Sequence, residues 1–285
     1  MKIFFRIVAV FLGFVLVIAA ADITFLLMTE ATEKYARILP AYERESLDEV
    51  LAKESWSEED YDLLYHQTGL TQAPLDALKG DSEAILEFQD ALFYDGEWQH
   101  SMASVITPHE YMIGYSAPIA PLEDGDILVS STCHTLGWRN GHAAIVVDAE
   151  KGVILESVSL GYDSALNGYS WFTSAANFMV LRLKDVSQEK RAEIAAYAKE
   201  HMVGLPYSLT VGLFSKKDLS ENIAAGDLTV GTQCGHLVWQ AYYNFGYDLD
   251  SNGGPVVVPK DIATSPLLEV VQVYGFDPDR LWFYF

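Results

Sequence analysis

A cysteine, a histidine and a glutamate are spaced along this chain so that together they could run thiol-based acyl transfer. Cys234 stands in Thr232-Gln233-Cys234-Gly235-His236-Leu237-Val238-Trp239, where a loop gives way to an apolar helix. That helix carries Leu237, Val238, Ala241 and Phe245 along one stripe and is expected to stop at Gly246. Its first-turn N–H groups and the positive end of its dipole therefore face the sulfur. A thiol so placed favours the nucleophilic thiolate. The competing reading is a small buried core cysteine, and a base within reach would decide between the two.

The candidate base is His142, which opens the β-rich run Gly141-His142-Ala143-Ala144-Ile145-Val146-Val147-Asp148. A turn-like Asp148-Ala149-Glu150-Lys151-Gly152 leads to a second strand, Val153-Ile154-Leu155-Glu156-Ser157, and the two are expected to pair as an antiparallel hairpin. Register then decides the role of Glu156. An odd loop of three or five residues sets even positions against even positions and brings Glu156 opposite or diagonal to His142. A four-residue loop sends it to the other face unless a bulge restores the parity. On the first register Cys234, His142 and Glu156 form a nucleophile, a general base and an orienting carboxylate. On the second, Glu156 is an exposed strand carboxylate and His142 a hydrogen-bonded core histidine.

Other chemistry-bearing residues compete less well. His236 lies two positions after Cys234, nearly opposite it around a helix at about 100° per residue, so it is not expected to act as the base. Cys133, His134, His142, Cys234 and His236 lack the close paired spacing of a zinc site, and no metal or other cofactor is expected. Cys133 and Cys234 are the two cysteines, and a bridge between them would abolish the nucleophile; a chain this long does not need such a staple. Asp126 reads as a turn and strand-start residue. Trp138, ahead of His142, could form a cleft rim.

The ordered set Gly125-Asp126-Ile127-Leu128, Gly141-His142, Leu155-Glu156, Gly204-Leu205-Pro206-Tyr207, Gln233 to Trp239 and Pro259 to Pro266 resembles the circularly permuted papain-like hydrolases of the YaeF and YiiX branch of the NlpC superfamily. In that branch the histidine strand precedes the cysteine helix, as here. The resemblance covers about residues 120 to 275. It implies that His142 is the base, Glu156 its polar partner and Cys234 the nucleophile, with Tyr207 lining a substrate-binding cleft whose rim Trp138, by its position ahead of His142, could form. Relatives often carry Cys-Ser-Glu-Leu-Val at the helix start, whereas this chain has Cys234-Gly235-His236-Leu237-Val238, a variant similar to the Cys-x-His of lecithin retinol acyltransferase relatives.

The elements that must position these residues form an α+β pattern. Strands are expected near 126–130, 142–147, 153–157, 178–183 and 268–274 in an antiparallel sheet, with a helix near 187–203, the Cys234 helix, and a mobile connection over 208–231. Residues 118–285 are read as the catalytic domain, entered through Pro118-Ile119-Ala120-Pro121. Residues 30–117 are read as a packed helical appendage, with a capping box at Ser57-Glu58-Glu59-Asp60, a stop at Gly69 and a second helix opened by Asp81-Ser82.

Residues 1–29 read as a signal anchor or signal peptide. Lys2 and Arg6 precede an uncharged run from Ile7 to Ala21, and apolar sequence continues to Met28. As one helix, Ile7 to Met28 spans about 33 Å, enough to cross a bilayer with the remainder outside. Ala19-Ala20-Ala21 instead fits a cleavage site that would release a secreted chain starting at Asp22. With Lys+Arg 18 against Asp+Glu 40 and a net charge of −22, nucleic-acid binding is disfavoured. The expectation is an exported, membrane-anchored thiol hydrolase that cleaves an amide in a cell-wall peptide or small molecule at the cell envelope. A lipid-directed acyltransferase or esterase, acting on a lipid-linked substrate, and a non-catalytic anchored binding protein are the alternatives.

Overall fold

The computed structural model describes residues 2–101, 109–135 and 138–283. Five helices come first: α1 (Lys2–Thr32), α2 (Asp48–Leu51), α3 (Glu58–Thr68), α4 (Gln72–Ala77) and α5 (Ser82–Leu92). A hairpin of β1 (Trp98–Ser101) and β2 (His109–Met112) leads to β3 (Ile127–Ser130), the short pair β4 (His134–Thr135) and β5 (Trp138–Arg139), then β6 (His142–Asp148), β7 (Val153–Glu156) and β8 (Ala165–Gly168). There follow α6 (Ser170–Ser174), β9 (Phe178–Leu183), α7 (Gln188–His201), α8 (Ser220–Ala224), α9 (Cys234–Tyr243), α10 (Pro259–Ala263) and β10 (Leu268–Tyr274).

The main sheet has six strands in the order β10-β9-β3-β6-β7-β8, every pairing antiparallel. Because side chains alternate along a strand, its two faces carry different cores. Odd-numbered Ile127, Val129, Ala143 and Ile145 pack with Ile194 of α7 and Leu237, Val238 and Ala241 of α9. Even-numbered Leu128, Ala144, Val146 and Ile154 pack with Leu64 of α3 and Ile85 and Phe88 of α5. The N-terminal helices thus share a core with the sheet. Burying that face is what holds helices of about three turns, which are marginal alone in water.

Local signals explain where these helices start and stop. Ser57 accepts from Asp60 N and the Asp60 carboxylate accepts from Ser57 N in a reciprocal cap, and Gly69 closes α3 in the left-handed region at φ 73°. Asp81 accepts from Ala84 N and caps α5. The helical reading of residues 30–117 does not hold to its end, however. Trp98–Ser101 pairs with His109–Met112, where Glu110 and Met112 are buried and their neighbours half-buried, a period of two that only a strand can present.

The 208–231 connection contains α8 and is tied at both ends to neighbouring backbone: Ser208 N donates to Thr232 O at 2.7 Å and Thr232 N to Pro206 O at 2.9 Å. Upstream, α1 is a continuous helix with Ile7, Phe11, Phe14 and Leu16 exposed. Among the described residues, though, no helix is long and apolar enough to cross a membrane, so the expected membrane helix is not supported. The side chains of Lys2 and Asp22, on which the anchor and cleavage expectations rest, lie outside the described residues.

Candidate active site

The β6–β7 turn has four residues, 149 to 152, the length that would send Glu156 to the wrong face. A bulge reverses this. Ala144 pairs with Glu156, Ile145 with Leu155 and Val146 with Ile154, but Asp148 pairs with Val153, leaving Val147 as the extra residue. Even positions therefore face even positions, and His142 sits diagonal to Glu156 on one face. Nε2 of His142 lies 2.6 Å from Glu156 Oε2, and Glu156 Oε1 accepts from Asn167 Nδ2 of β8 at 2.9 Å. The imidazole stacks on Phe172 at 5.5 Å between centroids and meets the edge of Trp171 at 5.1 Å, which fixes the ring plane from α6.

The second partner of His142 is the Cys234 side chain at the start of α9, within hydrogen-bonding reach. Since Nε2 is committed to Glu156, Nδ1 is the nitrogen left for the sulfur. Burial alone would push the imidazole down, but the Cys234 sulfur and the Glu156 carboxylate outweigh it and raise its pKa to about 10. Burial would likewise push Glu156 up, and the hydrogen bond and charge of His142, with Asn167, bring it below the usual carboxylate range. Gln233 caps α9: its Oε1 accepts from Gly235 N at 3.0 Å and stands 3.5 Å from Cys234 Sγ, while its Nε2 donates to Val257 O. Cys234 N–H has no acceptor among the described residues.

His236 is not in this constellation. Its Nε2 faces the Lys217 carbonyl at 2.7 Å and its Nδ1 the Thr232 hydroxyl at 2.8 Å, so the ring is a neutral donor–acceptor that ties the 208–231 connection to α9. Burial holds its pKa down at about 4. Both cysteines are free thiols. Cys133 is pushed well up by burial and then by the nearby Cys234 charge, which makes it a poor nucleophile. Asp126 is buried and takes Arg182 Nε and Nη2 at 2.7 Å each, a structural pair. No group of three or more His, Cys, Asp or Glu able to hold a metal is found among the described residues. Tyr207 bridges Thr232, two residues before Cys234, and burial raises its pKa, whereas Trp138 is largely exposed on β5.

Two supports escape sequence reading. Buried Glu110 of β2 takes His134 Nε2 at 2.7 Å and Arg139 Nη2 at 2.8 Å, and Arg139 Nη1 also donates to Ser131 O at 2.9 Å. This clamps the chain three residues before His142. The second support is the start of α10. A Cβ on Gly141 would lie 2.5 Å from Ser130 O and 3.3 Å from Pro259 Cβ, and one on Gly235 would lie 2.6 Å from Val257 O and 3.1 Å from Pro259 N. The residue before the base and the residue after the thiol thus both abut Pro259. The adjacency of Gln233 to Cys234 was the one available signal for its capping role; nothing in the spacing of Glu110, Asn167 and Pro259 announced theirs.

Among solved structures, the chain is similar to the metalloprotein YiiX (DUF1105) from Escherichia coli O157:H7, at 17% identity over 53% of this chain and 97% of that one, with a TM-score of 0.40. No family model matches the chain, and no curated protein matches it. The likeness to YiiX is distant and partial.

Proposed function

We propose that this chain is a thiol hydrolase of the permuted papain-like type that cleaves an amide through an acyl-enzyme on Cys234. The observation that carries the reading is His142 held between the Cys234 side chain and Glu156 Oε2 at 2.6 Å, a base with both a nucleophile and an orienting carboxylate. The sulfur attacks the carbonyl carbon, and the oxyanion that forms is met by Cys234 N–H. As the C–N bond breaks, His142 gives its proton to the amine, leaving a thioester. His142 then takes a proton from water, which adds to the thioester and expels the acid and the thiolate. Tyr207 and Trp138 are the proposed substrate-contacting side chains, and an amide of the cell envelope is the proposed target.

The test is mass-spectrometric labelling with an electrophilic amide probe. Label is expected on Cys234 in the native chain, slowed in His142→Ala and absent in Cys234→Ala; labelling at Cys133 instead, or an equal rate without His142, would overturn the reading. The exposed apolar side chains of α1 support a second, separate part of the proposal, that this helix holds the catalytic portion at the outer face of a membrane.

A further inference from the structure

Gln233 does more than a helix cap requires. Helix starts favour the short side chains of Ser, Thr, Asp and Asn, whose oxygen reaches back to a first-turn N–H. α9 is capped instead by a glutamine, buried, with extended backbone at φ −141° and ψ 170°. Its Oε1 accepts from Gly235 N at 3.0 Å, as a cap must, but the same oxygen also accepts from Cys234 Sγ at 3.5 Å, and its Nε2 reaches across to donate to Val257 O. A side chain one carbon shorter could cap α9 without meeting all three.

These contacts fix which end of the amide faces the sulfur. Turned round, Nε2 would oppose the Gly235 N–H, donor against donor, and Oε1 the Val257 carbonyl, acceptor against acceptor. The sulfur is therefore offered an acceptor, which binds S–H and repels S⁻. Its other partner pulls the opposite way: the His142 imidazolium, held against the effect of burial by the sulfur and Glu156, is satisfied by S⁻. Two further titratable groups of the site, Cys133 and Tyr207, are raised by burial and stay protonated through neutrality, so they do not enter this balance.

We infer that Gln233 is a positioning residue that restrains the nucleophile, its Oε1 holding Cys234 as S–H against the pull of His142 in the resting site. The inference rests on the thiol-hydrolase reading and adds to it the group that opposes the base. A thiolate is the form that stray electrophiles and oxidants attack, so a sulfur held as S–H at rest is spared them. The amide does this without a charge of its own, and the tie to Val257 O keeps it from swinging away.

The experiment follows alkylation of Cys234 by iodoacetamide in the full chain from acid to alkaline pH, read by mass spectrometry of the Cys234 peptide. The sulfur bonds to the methylene carbon, iodide leaves and the thiol proton goes to the buffer. Gln233→Ser keeps a favourable cap for α9 but takes the acceptor from the sulfur. Its rate profile, scaled to its own alkaline plateau, is expected to shift about half to one pH unit toward acid, which raises the scaled rate on the acid limb about three- to tenfold. Gln233→Glu keeps the acceptor and adds a charge, so its profile is expected to shift toward alkali. A serine profile that superimposes on the native one would show Gln233 to be a cap alone, and shifts of both variants in one direction would equally overturn the inference. Either result leaves the thiol hydrolase standing where His142→Ala slows the native rate. A native rate indifferent to His142→Ala would remove the underlying reading, and the restraint with it.

Discussion

His142 holds its proton against the Cys234 sulfur and the Glu156 carboxylate, and that arrangement sets its pH behaviour. Raised from 6.5 to about 10, it contributes stability that is fully present below 6.5 and lost as pH rises through about 10. Glu156, lowered from 4.5, contributes stability present above 4.5 and lost as pH falls through its depressed value. The pair is therefore intact across neutrality. Glu156→Gln keeps the shape but removes the carboxylate charge that helps hold the proton, so the basic limb of the pH–rate profile should move toward neutrality, with turnover falling by about 10- to 100-fold. Histidine NMR titration of the folded variant checks the cause. An unmoved His142 midpoint would show that the carboxylate does not hold the proton.

The elements matter here mainly for how they meet. Gly235 lets the first turn of α9 lie against the Val257–Pro259 backbone, where a methyl group would sit 2.6 Å from Val257 O. Gly235→Ala should cost about 1–3 kcal/mol, read from the denaturant midpoint, and should slow Cys234 labelling. Gly168→Ala, which meets open space, should stay within about 0.5 kcal/mol. How legible each element was in the sequence follows from its physics. The α9 helix and β10 were readable because a cap or turn bounds a long apolar run. The Glu156 register was readable only as a parity condition, since loop length and bulge enter together and a bulge leaves no composition signal. β8 and the β1–β2 hairpin were not readable: Ala165–Gly168 is mostly exposed and Trp98–Ser101 polar, so neither shows the apolar alternation that marks a half-buried strand. The Glu110–Arg139 clamp was hidden because its partners meet only after the hairpin folds back on Cys133.

On the scale of the whole molecule, an acidic body follows a helix that exposes Ile7, Phe11, Phe14 and Leu16, in a chain of net charge −22. If α1 holds the chain to a membrane, the full-length protein should stay in the pellet after a carbonate wash, while the same chain lacking residues 1–29 should be released; recovery of the full-length form in the supernatant would refute the anchor. Chain order has another consequence. The proposed base on β6 and its carboxylate on β7 precede the thiol on α9, and β10 comes later still. During synthesis the ribosome therefore releases the cradle before the cysteine that needs it. A nascent chain stopped short of residue 234 holds a base with nothing to activate, and one just past it holds a thiol whose helix has yet to dock. Reactivity should thus arrive only near the end of translation, when α9 packs beside β6, which spares the unfinished chain from indiscriminate acylation.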